Sequence, residues 1–388
     1  MKSMNMHDTD FVVPQGFKLA AAVAGIKRAG LDLGLIHSDR AATAAAVFTR
    51  NAFPAAPVVL DRANLAASGH QVRAVLVNAG NANAATGEEG MAAARKCAAE
   101  LAALAGCLPS EVFVSSTGVI GRPLPVAKIT DALPELWASR QASTGDHFAR
   151  AIMTTDTFPK MAAAQVRGAR LLGFAKGAGM IHPNMATMLS FIITDAKIDQ
   201  PELDRALRRS VDRSFHSISV DGDTSTNDTV LVLANGASGV TLAPAVFAGK
   251  LQEVCQELAK AIVRDGEGAT KFIELIIEGA PSDEAARQIG RSIARSPLVK
   301  TAIYGCDPNW GRLICAIGNA GVALDSDKID LYVDDIPLNG GDLKLASERM
   351  NAREVTFRIA LHSGTGNARV WTCDLTEQYI RINADYTT

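Results

Sequence analysis

Short apolar runs alternate with longer stretches of helical period along most of this 388-residue chain. Residues 73–78 (RAVLVN) read as a buried strand, followed by the polar loop NAGNANAATG and a helix over about 88–105. A second short strand over 111–115 is stopped by Ser116-Thr117-Gly118, and a helix over 123–138 opens on proline. Residues 171–175 form a further strand, 176–184 a loop punctuated by glycine and proline, and 187–194 (TMLSFIIT) a strongly apolar strand. The second half repeats the theme. Helical period is expected over about 199–211, 245–264 and 281–294, and strands over 229–234, 271–278, 328–333, 354–361 and 368–374. Strands and helices mixed throughout predict a layered α/β or α+β fold, with a domain boundary near residue 280.

Composition narrows the function classes. Hydrophobic residues make up 48% of the chain and charged residues 21%, enough for a sizeable core. The formal charge is −2 and the basic residues form no block, so no nucleic-acid partner is expected. No apolar run is long enough to span a bilayer, so no membrane association is expected. The apolar stretch 19–26 lacks a basic leader, which argues against a signal peptide. Cys97, Cys107, Cys255, Cys306, Cys315 and Cys373 are scattered without C-x-x-C spacing, against both zinc and a disulfide framework. A reducing cytoplasm is the expected location. The histidines are isolated, and no metal or cofactor is expected. Asp221-x-Asp223-x-Ser225 resembles the start of a calcium loop, but Thr226 stands where the turn glycine belongs and Val232 where the closing glutamate belongs. The run 265–271 (DGEGATK) resembles a phosphate cradle but precedes a strand instead of opening a helix.

The informative stretch is 176–189 (KGAGMIHPNMATML), a Gly-rich loop running through Ala186-Thr187 into a core strand. One reading is local: threonine favours strands, and a small residue before it favours packing. The other is an N-terminal nucleophile. A threonine hydroxyl needs a base within hydrogen-bond reach. Cutting the peptide before Thr187 creates an α-amine on the same residue, with an unperturbed pKa of about 7.7–8.0, able to act as that base. Ser115-Ser116-Thr117-Gly118 ends a strand where backbone N–H groups could serve a developing oxyanion, or is an ordinary turn.

The same segments resemble those of the ornithine acetyltransferases, the bifunctional glutamate N-acetyltransferases and amino-acid acetyltransferases of arginine biosynthesis. The resemblance runs in order through AAVFTRN (45–51), VNAGNANAATG (77–87), SSTGVIG (115–121), MTTDTFPK (153–160), SVDGDTSTNDT (219–229), DGEGATK (265–271), YGCDPNWGR (304–312) and INADYTT (382–388). It implies an αββα sandwich resembling N-terminal nucleophile hydrolases, with a smaller C-terminal part. It implies self-cleavage at Ala186–Thr187 into an α chain (1–186) and a β chain (187–388). In that reading 187–280 completes the main sandwich, 281–388 is the smaller domain, and two pairs of chains assemble as α2β2. Thr187 resembles the nucleophile, and Thr117 and Gly118 the oxyanion pair. Thr154, Lys176, Thr187, Glu267, Asn383 and Thr388 resemble the substrate-contacting set. The implied substrates are N2-acetyl-L-ornithine and L-glutamate, with acetyl-CoA a further donor on which the sequence is silent. A hydrolase sharing the acyl-enzyme, and a binding protein that never cleaves, are the competing readings.

Overall fold

The computed structural model describes residues 11–142, 145–182 and 188–385. The first part of the chain forms strands β1 (Phe17–Ala22) and β2 (Leu33–Phe48), helix α1 (Ala56–Ala67), β3 (Gln71–Asn81), α2 (Gly87–Ala105), β4 (Val112–Val119), α3 (Val126–Ala138), α4 (Asp146–Ala151), β5 (Lys160–Val166) and β6 (Ala169–Lys176). Then come β7 (Leu189–Thr194), α5 (Gln200–Asp212), β8 (Ile218–Ser219), β9 (Thr229–Ala234) and α6 (Pro244–Arg264). The remainder forms β10 (Phe272–Ala280), α7 (Asp283–Arg295), α8 (Pro297–Tyr304), α9 (Trp310–Gly318), β11 (Asp330–Val333), β12 (Ile336–Pro337), α10 (Leu343–Arg349), β13 (Glu354–Ala360), β14 (Gly366–Cys373) and α11 (Glu377–Asp385).

Eight strands pair in the order β4-β3-β2-β9-β7-β6-β5, with β1 on β2. Strand β2 makes this one sheet into two facing leaves. Its first part pairs with β3 through Leu33–His37, its register breaks between His37 and Ala42, and Thr43–Phe48 then pair with β9. The alternation of side chains along each strand sorts the core into layers. Val75 and Val77 of β3, Phe191 and Ile193 of β7, and Leu231 and Leu233 of β9 point into one shared interior with Phe113, Phe148 and Phe174. Their neighbours point outward. Ala74 and Leu76 meet Leu101 of α2 and Leu133 of α3. Ile192, Val230 and Val232 meet Leu207 of α5 and Leu258 and Ile262 of α6. The result is helix, sheet, sheet, helix. At its centre Phe148 and Phe174 meet edge to face at 4.9 Å. Each such buried ring contributes roughly 1.5–3 kcal/mol relative to exposure.

A second sheet, β12-β11-β13-β10-β14-β8, carries α7, α8, α9 and α10 on one face, through Ile289, Ile303, Leu313 and Ala346 against Ile273, Leu275, Phe357 and Val370. Alternate residues of its strands, Phe272, Trp371 and Cys373, join the core beneath α6, so the two sheets share that helix. Strands β8 and β10 enter this sheet from before residue 280. Among the described residues no helix is long and apolar enough to cross a membrane.

The continuous apolar runs appear where the sequence places them. The expected strand 229–234 is β9, and the helices expected over 88–105 and 245–264 are α2 and α6. The strand expected over 187–194 is described from Leu189, its first residue Thr187 lying outside the described residues. The C-terminal stretch forms α11, although chain ends usually fray.

His37, buried on β2 under an edge-to-face Trp137 ring at 4.6 Å, ties α3 to this leaf. Burial, reinforced by the Arg140 guanidinium and opposed by Asp39, pushes its imidazole down to about 4. A folded pKa below the unfolded value stabilises the native state above about pH 6.5. That stabilisation is lost as pH falls toward 4. Thermal melts should therefore show Tm dropping between pH 6.5 and 4, with His37→Gln losing part of that dependence. An identical pH profile in the variant would remove His37 from the account.

Candidate active site

Strands β3 and β4 run parallel, with Ala79 opposite Thr117 and Gly80 opposite Gly118. At that point the backbones come too close for a side chain. A Cβ on Gly118 would lie 2.4 Å from the Gly80 carbonyl carbon, and Gly118 has φ +130°. Only glycine adopts that conformation without strain. The loops around it are cross-braced by buried amides. Asn227 donates from Nδ2 to the carbonyls of Ala82 (2.6 Å) and Ser116 (2.8 Å). Ser116 donates to Asn78 Oδ1 at 2.6 Å, and Asn78 donates to the Asn81 carbonyl at 2.9 Å. Three of the recognised motifs thus meet at the end of β4.

Lys176, the last residue of β6, reaches this corner from the other leaf. Its ammonium donates to Thr117 Oγ1 at 3.1 Å and is almost wholly buried. Burial pushes its pKa below the usual lysine range. Asp156 is the strongest charge pulling it back up, and Lys160 adds to the depression. Asp156 lies in the loop before β5. Its Oδ1 accepts from the Gly177 N–H at 2.7 Å and from Lys160 Nζ at 2.6 Å, and its Oδ2 accepts from the Thr154 N–H at 2.9 Å. Burial opposes ionisation of Asp156, but the Lys176 and Lys160 ammoniums and the Gly177 N–H outweigh it and hold the carboxyl at about 2. Lys160 also donates to Asp265 Oδ2 at 2.5 Å, and Asp265 accepts from both the backbone and the hydroxyl of Thr157.

The loop after Lys176 is fixed from the second half of the chain. Asp221 accepts from the N–H groups of Met180 (2.5 Å) and Ile181 (2.8 Å). The Glu267 N–H donates to the Ala178 carbonyl at 2.9 Å. Gly179 makes room for the Glu267 carboxylate, whose Cδ would sit 2.4 Å from a Cβ there. Asn383 of α11 donates to Glu267 Oε2 at 2.9 Å. Asp228 is wholly buried, and burial drives its pKa well above the carboxylate range against the Met188 N–H and Lys176. Its Oδ1 accepts from Met188 N–H at 3.0 Å, while its Oδ2 has no hydrogen-bond partner among the described residues.

Thr117, Gly118, Thr154, Lys176, Glu267 and Asn383 are therefore gathered into one connected site. Ala186, Thr187 and Thr388 lie outside the described residues. Sequence reasoning assigned no role to Asp156, Lys160, Asp265, Asn227 or Asp228, although all fall inside or beside the quoted motifs. A separate polar cleft of about 360 Å³, lined in part by Arg213, Gln256, Glu278, Arg287 and Arg369, includes none of the candidate residues.

Residues 18–388 match the family described as the ArgJ family. The chain is 50% identical over 383 residues to the arginine biosynthesis bifunctional protein ArgJ of Thermus thermophilus, covering 97% of this chain and 99% of that protein. It is 47% identical over 392 residues to the protein of the same name from Geobacter sulfurreducens, covering 96% and 99%. The crystal structure of the arginine biosynthesis bifunctional protein argJ from Bacillus halodurans aligns with a TM-score of 0.50 and 45% identity, covering 52% of this chain and 100% of that one.

Gly118→Ala forces a methyl group into the Gly80 backbone at a positive φ. We expect a loss of about 1–3 kcal/mol in urea unfolding. An unchanged midpoint would mean the two strands can separate there without cost.

Proposed function

This chain belongs to the ArgJ family, and from that membership we propose that it is an arginine-biosynthesis enzyme moving acetyl from N2-acetyl-L-ornithine to L-glutamate through an ester on Thr187. The observation that carries the reading is the buried Lys176 ammonium on Thr117 Oγ1, which joins the loop leading to Thr187 with the candidate oxyanion strand. Lys176 also pairs with Leu189 at the start of β7, so the same residue links the Thr117–Gly118 end of β4 to the strand that follows Thr187.

In the proposed mechanism the Thr187 hydroxyl first attacks the Ala186 carbonyl, the Ala186–Thr187 C–N bond breaks to give an ester and a free Thr187 amine, and water hydrolyses that ester, releasing the preceding segment with a carboxylate on Ala186. That amine accepts the hydroxyl proton as the oxygen attacks the acetyl carbonyl of the donor. Backbone N–H groups at Thr117 and Gly118 hold the negative oxygen of the tetrahedral intermediate. The intermediate collapses as the C–N bond breaks, and the departing ornithine amine takes the proton from the Thr187 ammonium. Glutamate then attacks the acetyl ester through its amine. The Thr187 oxygen leaves with the proton, and N-acetyl-L-glutamate departs. Lys176 binds a substrate carboxylate, Glu267 the side-chain ammonium of ornithine, and Thr154, Asn383 and Thr388 its remaining polar groups. No metal or organic cofactor enters these steps, and acetyl-CoA is a second candidate donor. Two α/β pairs assembled as α2β2 in the cytoplasm complete the proposal.

Intact-mass measurement tests it directly. Two species matching 1–186 and 187–388 are expected, the second gaining one acetyl group on incubation with acetylornithine. Thr187→Ala should remain one chain and transfer nothing, whereas a fully active protein with an unbroken backbone would refute the nucleophile. Ornithine release should depend on glutamate, and release indifferent to glutamate would make the protein a hydrolase instead. The donor kcat/KM should rise with pH through the amine pKa, about 7.7–8.0 if unperturbed.

A further inference from the structure

We infer that Asp156 is a positioning residue for acyl transfer: its carboxylate holds Thr154 and the Lys176–Gly177 backbone on one buried anchor, tied through Lys160 to Asp265, and it is the counter-ion of Lys176. The inference rests on the proposed reading of Thr154 and Lys176 as substrate contacts.

The geometry is that of a hub. Asp156 uses both oxygens on three donors: the Thr154 N–H, the Gly177 N–H and Lys160 Nζ. Lys160 and Asp156 have no side-chain exposure, and Asp265 has 2%. Two residues beyond Asp265 stands Glu267, whose N–H is bonded to the Ala178 carbonyl on the same loop. Thr154, Lys176 and Glu267 are thereby all referred to one ionic cluster, although they come from three separate stretches of chain.

Charge balance around Lys176 singles out Asp156. Among the described residues, one neutral hydroxyl and four charged or titratable groups act most strongly on that ammonium. Thr117 from β4 is neutral, and Lys160 from β5 repels it. Asp228 lies within its field, but complete burial drives Asp228 toward the protonated form. Glu267 is only partly buried and attracts the ammonium more weakly than Asp156 or Asp228. Asp156 attracts most strongly and stays ionised, since its own pKa is held at about 2. Remove that anion and Lys176 is left nearly dry beside a like charge. It should then lose its proton at lower pH, and with it the attraction for a substrate carboxylate.

The test uses the cleaved, full-length enzyme and the pH profile of kcat/KM for acetylornithine, which reports the first half-reaction alone. Asp156→Asn should move the basic limb down by about one pH unit or more, and raise KM more than it lowers kcat. Lys160→Met removes the repelling cation and should move the same limb up. Asp265→Asn, which takes an equal charge from the cluster but is not among the strongest charges acting on Lys176, should leave the limb in place. A folded Asp156→Asn enzyme with a wild-type basic limb and KM would overturn the inference, as would a limb moved equally by Asp265→Asn. A second readout needs no activity. Adding Lys176→Met to Asp156→Asn should recover part of the lost Tm, because it removes the stranded charge. Additive losses would also overturn it. A wild-type enzyme that moves no acetyl group while this thermal coupling holds would instead sink the functional reading and leave the ion pairing intact.

Discussion

A lysine ammonium held almost out of water is the constraint around which this site is built. Lys176 ends a strand of one leaf and bonds a threonine on the other. Such a charge is tolerated in the interior only when anions and donors are arranged to meet it, and removing one partner of a buried pair costs about 3–5 kcal/mol. The neighbourhood supplies one firmly ionised carboxylate, Asp156, and a second lysine shared with Asp265. It also supplies Asp228, which burial pushes toward neutrality. Two carboxyls around one ammonium are thus shifted in opposite directions. Environment sets the difference: Asp156 is met by two ammonium charges and two N–H groups, whereas wholly buried Asp228 is met by one N–H and the field of Lys176, and among the described residues its Oδ2 has no hydrogen-bond partner.

Much of the fold was legible because its central strands are simple. Runs such as TVLVLA have apolar residues on both faces, and both faces are in fact covered, by the facing leaf and by helices. Strand β2 was not legible. Its sixteen residues carry exposed Asp39, Arg40 and Ala41 in the middle, then a series of alanines with little hydrophobic signal. Those alanines are buried on both faces, Ala42, Ala44 and Ala46 in the interior between the leaves and Ala45 in the core under α5 and α6, a placement that exists only once β3 and β9 have been paired across the strand. Helix α11 was hidden for a different reason. Its anchors, Asn383 on Glu267 and the Thr376 hydroxyl on the Gly268 carbonyl, come from more than 100 residues away.

The candidate site divides in the same way. Its motifs are local, so Thr117, Gly118, Lys176 and Glu267 could be singled out from short stretches of sequence. The groups that orient them are only partly local: Asp156 stands two residues after Thr154, but Asp265 and Asn227 come from more than 100 positions away. Asp156 stands four residues before Lys160, but such a spacing is as common on an exposed surface, and the partner that completes its burial, Asp265, is 105 positions along the chain. A lysine is ordinarily solvated, and only the closure of the fold turns this one into a strut.

The order of strands in the main sheet has a last consequence. Strands β9 and β7 lie side by side, with β2 beyond one and β6 beyond the other. Sever the chain before Thr187 and these two strands belong to the trailing polypeptide, while both flanking strands belong to the leading one. Each piece is then dovetailed into the other, and neither can slide free without tearing a hydrogen-bonded ladder on two sides. Assembly of the intact precursor is a unimolecular event. Once nicked and unravelled, the same architecture has to be rebuilt by collision of two incomplete sheets with open edges, which invites aggregation. Such an enzyme would last by the height of its unfolding barrier more than by any ability to find its shape again.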